Sequence, residues 1–218
     1  MQPRAEPLPA VMCLTRDGTG VPHAEQAERL CAGGARWIQL RMKGADHGEW
    51  LREAKAAVRA CRRHGAVLVV NDSALVAAES GADGVHLGAT DLGWAEARQI
   101  LGAGRLVGGT VNSPEAAASL PVGLLDYAGV GPLRFTATKE RIAPVLGPAG
   151  VAATVAALGG IPAWAIGGVL PADSPALRAA GARGIAVCAP LHAGNRFADN
   201  LAPYLAAWPA AAPQPAFA

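Results

Sequence analysis

Eight times along 218 residues a short apolar or β-branched run gives way to a longer amphipathic or alanine-rich stretch. That alternation constrains the fold more than any other feature, because a strand followed by a helix returns the chain parallel to where it began. The runs are VMCLT (11 to 15), WIQLR (37 to 41), VLVVN (67 to 71), GVHL (84 to 87), RLVGGT (105 to 110), YAGVG (127 to 131), AWAIG (163 to 167) and GIAVC (184 to 188). Between them lie helical candidates such as EWLREAKAAVRACRRHG and WAEARQILGAG, several closing on glycine as helices do. Eight such pairs predict an α/β chain forming a single-domain (β/α)8 TIM barrel at the small end of its size range, since a doubly wound sheet more often has fewer strands. A Gly-Ala pair also recurs just before a strand, in GGARW, SGADG and AGARG, so the units close alike.

The barrel is expected over residues 10 to 208, between an N-terminal extension (1 to 9) and an Ala/Pro-rich tail (209 to 218). The first ten residues hold three prolines and a glutamate, unlike a secretory signal. The uncharged run from 142 to 172 is long enough for a membrane span, but Pro144, Pro148, Pro162 and Pro171 interrupt it. With 51% hydrophobic residues, 17% charged residues and a net charge of +2, the chain lacks the basic footprint of a nucleic-acid or membrane-surface binder, which favours small-molecule partners. Cys13, Cys31, Cys61 and Cys188 have no CxxC spacing, so neither a zinc site nor a disulfide framework is expected, and a cytoplasmic setting fits. A homo-oligomer is left open.

In such a barrel, chemistry gathers where strands end and βα loops begin. The second strand supplies Gln39, Arg41 and Lys43, two apart and therefore on one face, with Leu40 and Met42 on the other. Cations facing inward call for an anion; read singly, Arg41 and Lys43 would only mark a solvated strand end. The third strand ends in Asn71 and Asp72, the loop after the fourth holds Asp91, and the fifth ends in Thr110. Two carboxylates beside cations suit a hard ion such as Mg2+ that also takes phosphate oxygens. The plainer reading makes Asp72 and Asp91 helix N-caps. After the sixth strand come Thr136, Thr138 and Lys139. The seventh and eighth end in IGGV and VCAPL, where small residues leave backbone N–H groups open to phosphate ahead of a helix. His23, His47, His64 and His192 read as surface groups, and His86 as a structural hydrogen-bonding residue. No G-x-S-x-G elbow or P-loop is present.

Together QLRMK, VND, GVHLG with Asp91, GVGP with TATK, and AIGGV resemble the thiamine-phosphate synthase family, over nearly the whole domain. The resemblance implies a transferase joining the pyrophosphate of 4-amino-5-hydroxymethyl-2-methylpyrimidine to 4-methyl-5-(2-phosphoethyl)thiazole, with Mg2+ as cofactor. It further implies that Gln39, Arg41, Lys43, Asn71 and Lys139 contact the pyrimidine pyrophosphate, that Asp72 and Asp91 ligate the metal, and that Thr110 lies near the reacting pyrimidine. Thr136, Thr138, Gly168 and the backbone at Cys188 and Ala189 would receive the thiazole phosphate; Arg41, Lys43, Thr110 and Lys139 would act in catalysis. The family's reaction is dissociative and needs no protein base, in keeping with a rim that has no evident nucleophile. Three positions depart from the family pattern. Arg134 and Phe135 replace an aromatic residue and proline, Met42 replaces an acidic residue, and Ala189 with Pro190 replaces Ser-Ala. Two alternatives stay open: a thiazole tautomerase on the same barrel, which has a histidine where this chain has Pro132, and a non-catalytic binder of phosphate or thiamine precursors.

Overall fold

The computed structural model describes residues 7–121, 123–135 and 144–209. Eight parallel strands close into a barrel in sequence order: β1 (Val11–Leu14), β2 (Trp37–Leu40), β3 (Val67–Asn71), β4 (Gly84–Leu87), β5 (Leu106–Val111), β6 (Tyr127–Val130), β7 (Ala163–Ile166) and β8 (Gly184–Val187), with β8 pairing β1. The helices are α1 (His23–Ala32), α2 (His47–Arg63), α3 (Ala74–Ser80), α4 (Trp94–Leu101), α5 (Pro114–Ala118), α6 (Gly147–Ala157), α7 (Ser174–Ala179) and α8 (Phe197–Ala207). Most strands stop a residue earlier than the apolar runs suggest, which leaves Thr15, Arg41, Gly131, Gly167 and Cys188 in the loops just above the barrel. The run from 142 to 172 contains α6 and β7; among the described residues no helix is long and apolar enough to cross a membrane.

The recurring Gly-Ala pair has a mechanical explanation. Gly34, Gly81 and Gly181 have φ of 105°, 76° and 85°, a region costly for residues with a Cβ. Each reverses the chain so that the next alanine N–H returns to the preceding helix: Ala35 to Leu30 O (3.0 Å), Ala82 to Ala77 O (3.2 Å) and Ala182 to Leu177 O (3.0 Å). All three alanines are buried, so the three units end their helices alike.

Strand alternation separates two apolar layers. Outward residues such as Ile38, Leu40, Val70 and Val85 pack on the helices, and Met42 joins them. Inward residues Met12, Leu14, Trp37, Val67, Val69, Leu106, Tyr127, Trp164 and Ala186 fill the barrel. Trp37 meets Tyr127 and Trp164 edge-on at centroid distances of 4.8 and 5.0 Å, so three aromatic rings occupy much of the interior. Glycine makes the space: a Cβ on Gly108 would lie 2.1 Å from Tyr127 Cζ, and one on Gly184 would lie 2.2 Å from Trp164 Nε1. Part of the expected N-terminal extension closes the opposite end. Leu8 packs against the inner layer, and Pro9 O accepts from Trp164 Nε1 at 3.1 Å. The described residues thus fill that end, and the polar side chains gather at the strand exits.

Candidate active site at the strand exits

The β1 and β2 exits are tied together by groups the sequence reading did not single out. Arg41 N donates to Thr15 Oγ1 (2.9 Å), Thr15 Oγ1 lies 2.8 Å from His23 Nδ1, and His23 Nε2 lies 3.2 Å from Asp17 Oδ1. The Asp17 carboxylate can only accept, so the proton of the neutral imidazole sits on Nε2, and Nδ1 accepts from the Thr15 hydroxyl while that oxygen accepts from Arg41 N. Burial keeps His23 below the ordinary histidine range, against the upward pull of Asp17, which favours this neutral form. Asp17 Oδ1 also accepts from Lys43 N (3.3 Å), and its Oδ2 lies 3.9 Å from Arg41 Nη1. One carboxylate on the β1 loop therefore organises both cationic residues of the β2 loop. His23 and His192 are buried, correcting their expected surface placement: His192 Nε2 donates to Leu14 O at 2.9 Å, behind the same corner. The missed signal was position, because Thr15 and Asp17 occupy the first strand exit just as Arg41 occupies the second.

Across from this corner, Lys43 Nζ pairs with Asp72. Lys43 stands three residues past the end of β2 and its side chain is 54% exposed, whereas that of Arg41 is 11% exposed, so Lys43 reaches its partner from a loop and not from the strand face. Asp72 has a φ of 65°, unusual for a residue with a side chain, and its N–H donates to His86 O at 2.8 Å. Neither aspartate serves as a helix cap. Ser73 caps α3 by accepting from Val76 N at 3.2 Å, and α4 starts from Gly93. Asp91 Oδ2 instead accepts from Gly88 N at 2.7 Å. Loss of solvent, reinforced by the adjacent Asp72 carboxylate, raises the Asp91 pKa against the opposing effects of the Gly88 N–H and Lys43.

Inside the mouth Gln39 and Asn71 are buried. Among the described residues Gln39 Nε2 meets a weak acceptor, Met12 Sδ, at 3.5 Å. His86 bridges the aromatic interior and the mouth, with Nδ1 3.1 Å from Tyr127 OH and Nε2 2.9 Å from Thr110 Oγ1. This is the structural hydrogen-bonding role expected of it, and it fixes Thr110.

The β6 exit turns through a cis Gly131–Pro132 bond and then pairs with the β7 exit, Leu133 N donating to Ile166 O (2.8 Å) and Arg134 N to Gly167 O (2.9 Å). Gly167 and Gly168 have φ of 90° and 67°, and a Cβ on Gly168 would lie 2.9 Å from Arg134 Cβ. The expected helix starts after β7 and β8 are preceded by 3-10 turns, Pro171–Asp173 and Ala189–Asn195. Burial pushes the Cys188 thiol up to about 11, so at neutral pH it is no nucleophile, while the backbone at Cys188 and Ala189 lies beside the Gly168 turn's strand. Thr136, Thr138 and Lys139 lie outside the described residues.

Fold and mouth together define a (β/α)8 barrel enzyme whose strand exits collect cations, paired carboxylates and glycine turns. Residues 10–191 match the family described as thiamine monophosphate synthase. Thiamine-phosphate synthase of Laribacter hongkongensis is 44% identical over 160 residues, 73% of this chain and 75% of that protein. The Bacteroides fragilis protein of the same name is 38% identical over 178 residues, 80% and 87% of the two chains. Among solved structures, thiamine phosphate pyrophosphorylase from Pyrococcus furiosus superposes with a TM-score of 0.80 at 27% identity, covering 90% of this chain and 94% of that one. The chain belongs to the thiamine-phosphate synthase family. It is an enzyme, a transferase of thiamine biosynthesis.

Proposed function

We propose that the chain couples 4-amino-5-hydroxymethyl-2-methylpyrimidine pyrophosphate with 4-methyl-5-(2-phosphoethyl)thiazole, yielding thiamine phosphate and pyrophosphate. The observation that carries this reading is the convergence of Lys43, Asp72 and Asp91 over a mouth also lined by Arg41, Gln39 and Asn71. Among the described residues no three His, Cys, Asp or Glu side chains meet at one point. Two neighbouring carboxylates, one of them held above its usual range by desolvation and then by the other, still fit Mg2+, which takes one or two carboxylates and completes its shell with water and phosphate oxygens. Asp72 and Asp91 would hold it, and when bound it would neutralise pyrophosphate charge.

In this reading the pyrimidine C–O bond breaks first, its electron pair leaving with pyrophosphate. Arg41, Lys43 and Lys139 stabilise that charge, Gln39 and Asn71 orient the leaving group, and Thr110, steadied by His86, lies against the pyrimidine. The thiazole nitrogen lone pair then forms the new C–N bond to the resonance-stabilised methylene cation. No proton is removed, so no base is needed; the enzyme's task is charge stabilisation and juxtaposition of two substrates. Thr136, Thr138, Gly168 and the backbone at Cys188 and Ala189 hold the thiazole and its phosphate. Incubating the purified chain with both substrates and Mg2+ tests the reading: thiamine phosphate and pyrophosphate should form in equal amounts. Absence of both, while a known synthase succeeds in parallel, rejects it.

A further inference from the structure

Arg134 binds three things at once. Its Nη1 and Nη2 each donate to an Asp173 carboxylate oxygen at 2.6 Å, Nη1 donates also to Gly168 O at 3.0 Å, and its backbone N–H donates to Gly167 O at 2.9 Å. Asp173 is fixed in turn, because its Oδ2 accepts from Leu170 N at 2.8 Å. The β6 and β7 exits are thus joined by a two-pronged ion pair whose carboxylate side chain is only 15% exposed. The guanidinium holds Asp173 below the usual carboxylate range, so the clasp stays charged well into the acid.

A peptide unit is planar and trans, so its N–H points opposite to its C=O. With the Gly167 and Gly168 carbonyls both directed at Arg134, the N–H groups of Gly168 and Val169 face away from the β6 exit. β7 lies between β6 and β8, so the β8 exit borders the other side of this turn. Among the described residues neither of these two N–H groups has an acceptor. The space between the seventh and eighth exits is where barrels commonly take phosphate.

We infer that Arg134 is a positioning residue for the substrate phosphate: clasped by Asp173, it fixes the Gly167 and Gly168 carbonyls and so aims the Gly168 and Val169 N–H groups at a phosphate monoester between the β7 and β8 exits. This rests on the synthase reading above for the identity of that monoester, the thiazole phosphate. Arg134 touches no reacting atom in this scheme. Its loss weakens one substrate and not the other.

The test is steady-state kinetics on the full chain with Arg134→Ala, Arg134→Lys and the reversed pair Arg134→Asp with Asp173→Arg. For Arg134→Ala the KM for thiazole phosphate should rise about tenfold, as expected when well-aimed donors lose their orientation. The KM for the pyrimidine pyrophosphate and kcat should stay within about twofold of wild type, and the reversed pair should recover part of the loss. Lysine cannot reproduce the forked contact, so Arg134→Lys should fall between, and it supplies the comparison if the alanine variant melts early. An unchanged thiazole KM, or an equal rise in both KM values, overturns the inference. If the wild-type chain makes no thiamine phosphate, the synthase reading falls by itself and the clasp is still decided by titrating inorganic phosphate while following the Gly168 and Val169 amide resonances. Shifts that need about ten times more phosphate in Arg134→Ala support the clasp; equal titrations, or none in wild type, refute it.

Discussion

Replacing Asp91 with asparagine should make the metal-free protein more stable while removing its response to Mg2+. In wild type the Asp91 carboxylate is drawn partly out of water beside Asp72, and only the Gly88 N–H and Lys43 compensate. Two like unit charges at a contact distance of about 4 Å would repel by roughly 4 kcal/mol at an effective dielectric near 20, an upper bound for such a pair. Solvent at the mouth and the intervening ammonium of Lys43 reduce this to about 1 kcal/mol. An asparagine oxygen can keep the Gly88 contact while its NH2 donates to Asp72, so the repulsion disappears without a lost hydrogen bond. The sign follows from linkage. A carboxyl whose folded pKa is raised loses stability as pH climbs from its unfolded value through its folded value, and above that window the penalty is complete. At pH 7.5 Asp91→Asn should therefore melt about 3 °C above wild type, at roughly 2–4 °C per kcal/mol for a chain of this size. The gap should shrink as pH is lowered through the window in which Asp91 is protonated. Mg2+ at ten times its dissociation constant should add about 1.4 kcal/mol to wild type. It should add nothing to the variant. Thermal melts at two pH values, with and without Mg2+, suffice. A variant that melts lower than wild type at pH 7.5, or that keeps the full Mg2+ shift, would refute the idea that these two aspartates repel each other until a cation joins them.

Three further outcomes are expected. Gly108→Ala should cost about 2–3 kcal/mol in urea denaturation, because the new methyl would strike Tyr127 while that ring is confined by Trp37 and Trp164. Gly104→Ala, with open space around its Cβ, should stay within about 0.5 kcal/mol and serves as the control. Thr15→Val removes the acceptor for Arg41 N and the partner of His23, so stability should fall by about 1–3 kcal/mol and turnover by at least about tenfold; retained turnover would separate the β1 network from Arg41. Lys139→Ala should lower kcat by about a hundredfold or more with an unchanged melting temperature if it stabilises the leaving pyrophosphate, and normal turnover would remove it from the site.

Much of the barrel was legible because its signal is local. Valine-rich runs such as VLVVN become strands wherever they sit, and the Gly-Ala phrase ends a helix through one left-handed residue and one returning N–H. The candidate site residues were legible for the same reason: in a closed barrel with strands in sequence order, Arg41, Asp72, Asp91 and Thr110 all follow or end strands at the same mouth. Lys43 lies beyond the end of β2, where strand alternation no longer applies, so its pairing with Asp72 is set by the loop. Burial of His23 and His192 was also hidden, since both lie in loop-like stretches of sequence and are held by groups distant in the chain or on another loop, Leu14 O for His192 and Thr15 Oγ1 for His23.

The sequence by itself determined the eight units, their order, the glycine turns and the ring of charged residues at the exits, because each depends on spacing of a few residues along the chain. Only the tertiary structure decided that Asp17, through His23 and Thr15, anchors the β2 cations, that Asp72 and Asp91 are neighbours, and that Arg134 reaches across to Asp173. Those contacts join residues on different loops. Their distances are set by barrel closure, which brings separate strand exits around one axis, and not by any interval in the sequence.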